Sequence, residues 1–125
     1  MAPDDSPARR NPARPPADLR LCAVADLAEP GAKGFRFRAD DKVFAGFVVR
    51  KDGAIAGFVD ACPHADWPLA MTDDRYLTRN GAHLLCSGHG ALFRPDDGFC
   101  VAGPCAGRSL ELWPVTVRNG DIYTL

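Results

Sequence analysis

Cys62-Pro63-His64, separated by 21 residues from Cys86-Ser87-Gly88-His89-Gly90, carries most of what this chain discloses. Two short clusters on two separate loops supply two thiolates and two imidazoles, which is the donor set of a metal site. Structural zinc is one occupant of such a set. Zinc sites of this composition usually take both cysteines from one motif and both histidines from another, whereas each motif here holds one of each. A chance scatter of five cysteines explains neither the spacings nor the glycine-rich second loop.

The paired spacings, together with His89-Gly90-Ala91-Leu92-Phe93 and Gly103-Pro104, resemble the Rieske family. The resemblance runs from roughly Leu19 to the C-terminus. It implies one [2Fe-2S] cluster per chain, with Cys62 and Cys86 on one iron and His64 and His89 on the other. It also implies that Gly103-Pro104 belongs to a loop covering the cluster, and that a small cluster-binding subdomain is inserted between strands of a β base. Two neutral imidazoles in place of two thiolates leave such a cluster less negative, so the class spans about −150 to +300 mV against about −400 mV for plant-type ferredoxins.

Three departures from the family pattern stand out. The interval between His64 and Cys86 is a few residues long for a simple ferredoxin, and the excess includes Met71 to Arg75, a candidate surface excursion or partner-recognition element. Respiratory-type members carry a further cysteine in each loop, where this chain has Trp67 and Gly88, so no inter-loop disulfide is expected. They also place hydroxyl donors where this chain has Ala91 and Phe93. Both differences point to a potential near the low end of the class, about −150 mV.

At 125 residues the expectation is one domain, with no length for the mononuclear iron domain of a terminal oxygenase. A net charge of −1 indicates neither nucleic-acid binding nor attraction to anionic membranes. Residues 1–18 hold Arg9, Arg10 and Arg14 among five prolines and lack large apolar side chains, so they read as a disordered tail ahead of a domain over 19–125. Arg9-Arg10 is not followed by the apolar stretch of an export signal, and no apolar run is long enough for a membrane span. A cytoplasmic location is expected.

From Leu19 onward, short apolar runs alternate with Asp-Gly and Asn-Gly turns and show no helical periodicity, which predicts an all-β sandwich or barrel. Strands are predicted over Phe35–Arg38, Val43–Arg50, Ala54–Val59, His83–Leu85, Leu92–Arg94, Glu111–Arg118 and Asp121–Thr124. Asn119-Gly120 turns the last pair, and Pro95-Asp96-Asp97-Gly98 turns the chain after Arg94. Cys22 and Trp113 are expected in the core, Trp67 as a shield beside the first loop, and His83 as an ordinary strand residue. Cys100 and Cys105 are close enough in sequence for a disulfide, which a reducing cytosol disfavours.

The function implied by the resemblance is that of a Rieske-type ferredoxin, carrying single electrons from a flavin-dependent reductase to an oxygenase without transforming a substrate itself. The alternative is an accessory or small subunit of a larger oxidoreductase, similar to nitrite reductase small subunits. Accessory relatives can lack ligands, whereas all four are present here.

Overall fold

The structure, a computed structural model, describes residues 6–63, 67–70, 74–88 and 90–125. After a single helical turn, α1 (Pro7–Arg10), the chain forms β1 (Arg20–Ala23), β2 (Gly31–Ala39), β3 (Lys42–Lys51) and β4 (Ala54–Val59). Then come three short strands, β5 (Leu84–Leu85), β6 (Leu92–Phe93) and β7 (Cys100–Ala102), and finally β8 (Val115–Arg118) and β9 (Asp121–Thr124). They pair into three antiparallel three-stranded sheets, in the orders β1-β9-β8, β2-β3-β4 and β5-β6-β7. The all-β expectation and the inserted subdomain are both met. Residues 60–110, which carry both cysteine motifs, lie between β4 and β8.

The central strand shows why. Phe44 to Val49 is a continuous apolar run, and successive side chains of a strand point to opposite faces, so both faces of the β2-β3-β4 sheet must be covered. Phe47, Val49 and the paired Phe58 look toward the inserted subdomain, where they pack with Leu69, Tyr76, Leu84, Phe93 and Leu110. Val48 looks the other way, onto Cys22, Leu27 and Ile122 of the β1-β9-β8 side. Trp113 packs on that second face against Phe44, with ring centroids 5.4 Å apart. A Cβ on Gly46 would come within 2.4 Å of the Trp113 ring, so only glycine lets the indole lie across β3.

Two hairpin turns follow local chemistry. Asp52-Gly53 and Asn119-Gly120 both take positive φ at both positions, as the tight turn matching strand twist requires. β4 and β9 form over the expected residues, and β2 is longer than expected because it pairs with β3 all the way from Gly31. β8 is shorter. Pro114 has no N–H for a ladder, and the preceding residues instead pair with β4 through Val59 N to Glu111 O and Trp113 N to Gly57 O, both 2.9 Å.

From Ser6 onward, the segment expected as a disordered tail lies against the domain. Ser6 Oγ caps α1 by accepting from Arg9 N and donates to Glu111 Oε2 at 2.7 Å. Asn11 Nδ2 donates to the Val43 carbonyl at 2.9 Å, and the Arg14 guanidinium stands 5.4 Å over the Phe44 ring. Ala13, 6% exposed, packs with Phe44, Val59 and Trp113. Burial, then the nearby Arg9, lowers the Arg14 pKa from its ordinary value. No large apolar residue is needed because the groove takes a methyl group, and the prolines reduce the freedom lost on ordering.

Ala13→Asp, which sets a carboxylate in that groove, is expected to destabilise the protein by about 1–3 kcal/mol and to raise amide exchange over residues 6–18. Thermal melting with hydrogen-exchange mass spectrometry checks this; exchange already at the unstructured rate in wild type would restore the tail reading.

Candidate metal centre

Two loops of the inserted subdomain are built alike. Cys62 N donates to Trp67 O at 2.7 Å and Cys86 N donates to Ala91 O at 2.9 Å, so each loop is closed from its cysteine to the residue five positions on. Each closure sets the cysteine at the root of its loop. Cys62 and Cys86 are both fully buried, in the same packed cluster as Phe47, Leu69 and Phe93. Within the second loop Gly90 N donates to Cys86 O at 2.8 Å. Gly90 takes a φ of +74°, a turn that strains any residue with a Cβ.

The loops are also tied to one another. Ser87 N donates to Leu69 O at 2.9 Å, and a Cβ on Gly88 would lie 3.9 Å from the ring of Trp67. The two positions where a disulfide would otherwise join the loops are thus occupied by an indole lying near a bare backbone. None of the five cysteines forms a disulfide. Trp67 is 53% exposed, so it stands at the rim beside the first loop and only partly shields it.

A third segment covers the first two. Gly103, with φ +96°, approaches so closely that a Cβ would sit 2.7 Å from Ala91 Cα, which makes the Gly103-Pro104 loop a backbone-to-backbone contact with the second loop. Five residues on, Arg108 Nη1 donates to the Pro63 carbonyl at 3.3 Å and reaches the first loop. Between them Cys105, 1% exposed, places its sulfur 3.3 Å from that of Cys100. Burial, then the contact with Cys100, then the neighbouring Cys62, push the Cys105 thiol above its ordinary range.

The residue that fixes this arrangement is Asp60, which carried no signal in the sequence beyond its place two residues before Cys62. Its Oδ1 accepts from Leu69 N and its Oδ2 from the Tyr76 hydroxyl, each at 2.8 Å. Tyr76 stacks on Phe47 of β3 at 4.2 Å between ring centroids, and its phenol oxygen lies against Gly34 of β2, where a Cβ would be 2.4 Å away. Burial, and then the charge and hydrogen bond of Asp60, hold the Tyr76 phenol far above the ordinary tyrosine range. Arg108 and Tyr76 likewise carried no local mark.

His64 and His89, and Met71 to Asp73 of the long interval, lie outside the described residues. Asp74, at the far side of that interval, accepts from Gly34 N at 2.8 Å and so returns the chain to the base. His83 is partly exposed, and its backbone pairs with Thr78. Among the described residues no group of three or more His, Cys, Asp or Glu side chains converges on a metal-sized site. What is described fits an iron-sulfur cluster: two buried, unbridged thiols at the roots of two matched loops, inside an apolar core that excludes water.

The comparisons with known proteins agree with that fit. The Rieske [2Fe-2S] domain family model matches residues 18–118, and the chain belongs to this family. Its cofactor is accordingly a [2Fe-2S] cluster. Among solved structures it is similar to the Sphingomonas yanoikuyae B1 ferredoxin, at 25% identity over 86% of this chain and 96% of that one, with a TM-score of 0.62. The ferredoxin of carbazole 1,9a-dioxygenase from Nocardioides aromaticivorans IC177 shares the fold at 20% identity, over 87% of this chain and 97% of that one, with a TM-score of 0.64. The terminal oxygenase of carbazole 1,9a-dioxygenase from Novosphingobium sp. KA1 shares it at 21% identity and a TM-score of 0.69, over 86% of this chain but only 29% of that one. No curated protein matches the chain.

Tyr76→Phe keeps the stack on Phe47 and removes one hydrogen bond to a carboxylate, for an expected loss of about 1–2 kcal/mol in denaturant unfolding. Because the folded phenol holds its proton more tightly than the unfolded one, its stabilisation is complete below about pH 10 and declines as pH rises further. The stability gap between wild type and Tyr76→Phe should therefore be constant up to about pH 10 and narrow above it. Phenolate absorbance gained by the folded protein up to about pH 11 should be equal in the two.

Proposed function

We propose that this chain is a Rieske-type ferredoxin, a one-electron carrier that receives electrons from a flavin-dependent reductase and delivers them to an oxygenase. The observation that carries the reading is the full set of two cysteines and two histidines on two loops, with both cysteines buried at matched loop roots. Cys62 and Cys86 are assigned to one iron, and His64 and His89 to the other. When bound, the cluster supplies a one-electron couple.

The rest is the work of the chain's own residues. Cys62 and Cys86 bind from inside the core, where low polarity keeps water from their sulfurs. Asp60 and Tyr76 hold the first loop against the base, and the Gly103 to Arg108 segment closes over both loops. A rigid frame of this kind suits electron transfer, because little has to move when the charge changes. The Sphingomonas protein, itself a ferredoxin of similar length, supports the same role. An accessory-subunit role is not favoured, since that role has no need of a complete ligand set.

Among the described residues no helix is long and apolar enough to cross a membrane. Cysteines without disulfides fit a reducing compartment, and the cytoplasm is the proposed location.

The protein is expected to purify red-brown with about two irons and two sulfides per chain, to take up about one electron in an anaerobic dithionite titration, and to be reoxidised by an oxidised Rieske oxygenase. Cys62→Ser, Cys86→Ser, His64→Ala and His89→Ala should each abolish the visible spectrum, while His83→Ala leaves it intact. A colourless protein with stoichiometric zinc would sink the assignment. A cluster that forms but exchanges no electron with any oxygenase would instead favour the accessory role.

A further inference from the structure

Arg20, Arg50, Arg94 and Arg118 each face a carboxylate within ion-pair distance. Arg108 does not. Among the described residues its guanidinium meets no carboxylate, and its Nη1 donates instead to the Pro63 carbonyl at 3.3 Å. That carbonyl belongs to the peptide linking Pro63 to His64. A planar peptide is aimed as one unit, so a donor on its oxygen also restrains the direction in which the chain continues. The side chain starts from a fixed base. Arg108 O accepts from Cys100 N at 2.7 Å and Arg108 N donates to Cys105 O at 2.9 Å, which closes the covering turn at its root. Inside that turn the sulfurs of Cys100 and Cys105, each 1% exposed, lie 3.3 Å apart and seat it in the core. Changing the side chain at 108 leaves all of these contacts in place.

We infer that Arg108 is a positioning residue for electron transfer: it holds the peptide leading into His64, and its positive charge beside the first loop favours the reduced, more negative cluster. The inference rests on the assignment of Cys62, His64, Cys86 and His89 as the ligands. An exposed hydrogen bond of 3.3 Å adds little to folding, so the contact matters through where it places the charge. Reduction adds one negative charge to the centre. A cation fixed nearby lowers the free energy of that state by Coulomb attraction, whereas a cation free to move through solvent is screened and acts from a varying distance. The hydrogen bond to Pro63 and the closed turn beneath Arg108 remove that variation. Net charge near a cluster is one of the terms that set its potential.

The test is the reduction potential of the cluster-loaded protein, measured by protein-film voltammetry for wild type, Arg108→Gln and Arg108→Lys. Arg108→Gln keeps an amide donor but removes the charge. It should lower the equilibrium constant for reduction about two- to fivefold, which at 59 mV per decade for one electron is a fall of about 20–40 mV. Arg108→Lys keeps the charge and should recover at least about half of that fall. Raising the salt from about 10 mM to about 1 M shortens the Debye length from about 30 to about 3 Å, so the gap between wild type and Arg108→Gln should narrow across that range. An unchanged potential in Arg108→Gln overturns the inference. So does an equal fall in both variants, or a gap indifferent to salt, as a purely structural role would give. Failure of Arg108→Gln to hold the cluster would make the residue a structural requirement of the loop, and overturns it too. Failure of the ligand assignment is separately visible, as a colourless wild-type protein or as retention of the cluster spectrum in His64→Ala.

Discussion

The carboxylate of Asp60 holds two things that the rest of the site needs held: the backbone of Leu69, where the first loop ends, and the hydroxyl of Tyr76, which is stacked on the base sheet. Because Asp60 follows β4 directly, the loop that bears Cys62 leaves the base and is tied back to it within nine residues. Leu69 then passes the restraint on, its carbonyl receiving Ser87 N of the second loop. A charged acceptor is well suited to this place, since hydrogen bonds to an ionised group are stronger than neutral ones and a partly buried carboxylate is costly unless its oxygens are engaged.

Electron carriers face a particular requirement, which is that the charge at the centre changes while the surroundings stay still. The burial of Cys62 and Cys86, the backbone contact between Gly103 and Ala91, and the self-closed loops all serve it by leaving few groups able to reorient. The same burial makes each remaining polar contact count for more, because water does not compete.

The base contributes through its two covered faces. Phe47, Val49 and Phe58 form the floor on which the inserted subdomain rests, while Trp113 and the β1-β9-β8 sheet cover the opposite side. The segment from Ser6 to Asp18 completes that second side at its edge, filling it with the methyl of Ala13 and the guanidinium of Arg14. The subdomain is thus mounted on a sheet that cannot easily bend.

The proposed metal donors and their spacings are legible in the chain because coordination chemistry is a local property: Cys62, His64, Cys86 and His89 stand out by residue type and interval alone. Tight turns are legible for a similar reason, since Asp52-Gly53 and Asn119-Gly120 are among the few pairs that tolerate positive φ at both positions. The fully apolar run of β3 already required a sheet buried on both sides. Other features came only with the tertiary structure. Nothing local separates Asp60 from the other acidic residues, Arg108 from the other arginines, or Ala13 from the other small residues of its segment; each matters through what lies opposite it. Cys105 is a further case, readable by sequence as a spare thiol near a covering loop, whereas its full burial with its sulfur against that of Cys100 comes only with the fold. Hydrogen bonds and burial act over a few ångströms in space, whatever the separation along the chain, and only folding brings those partners within range.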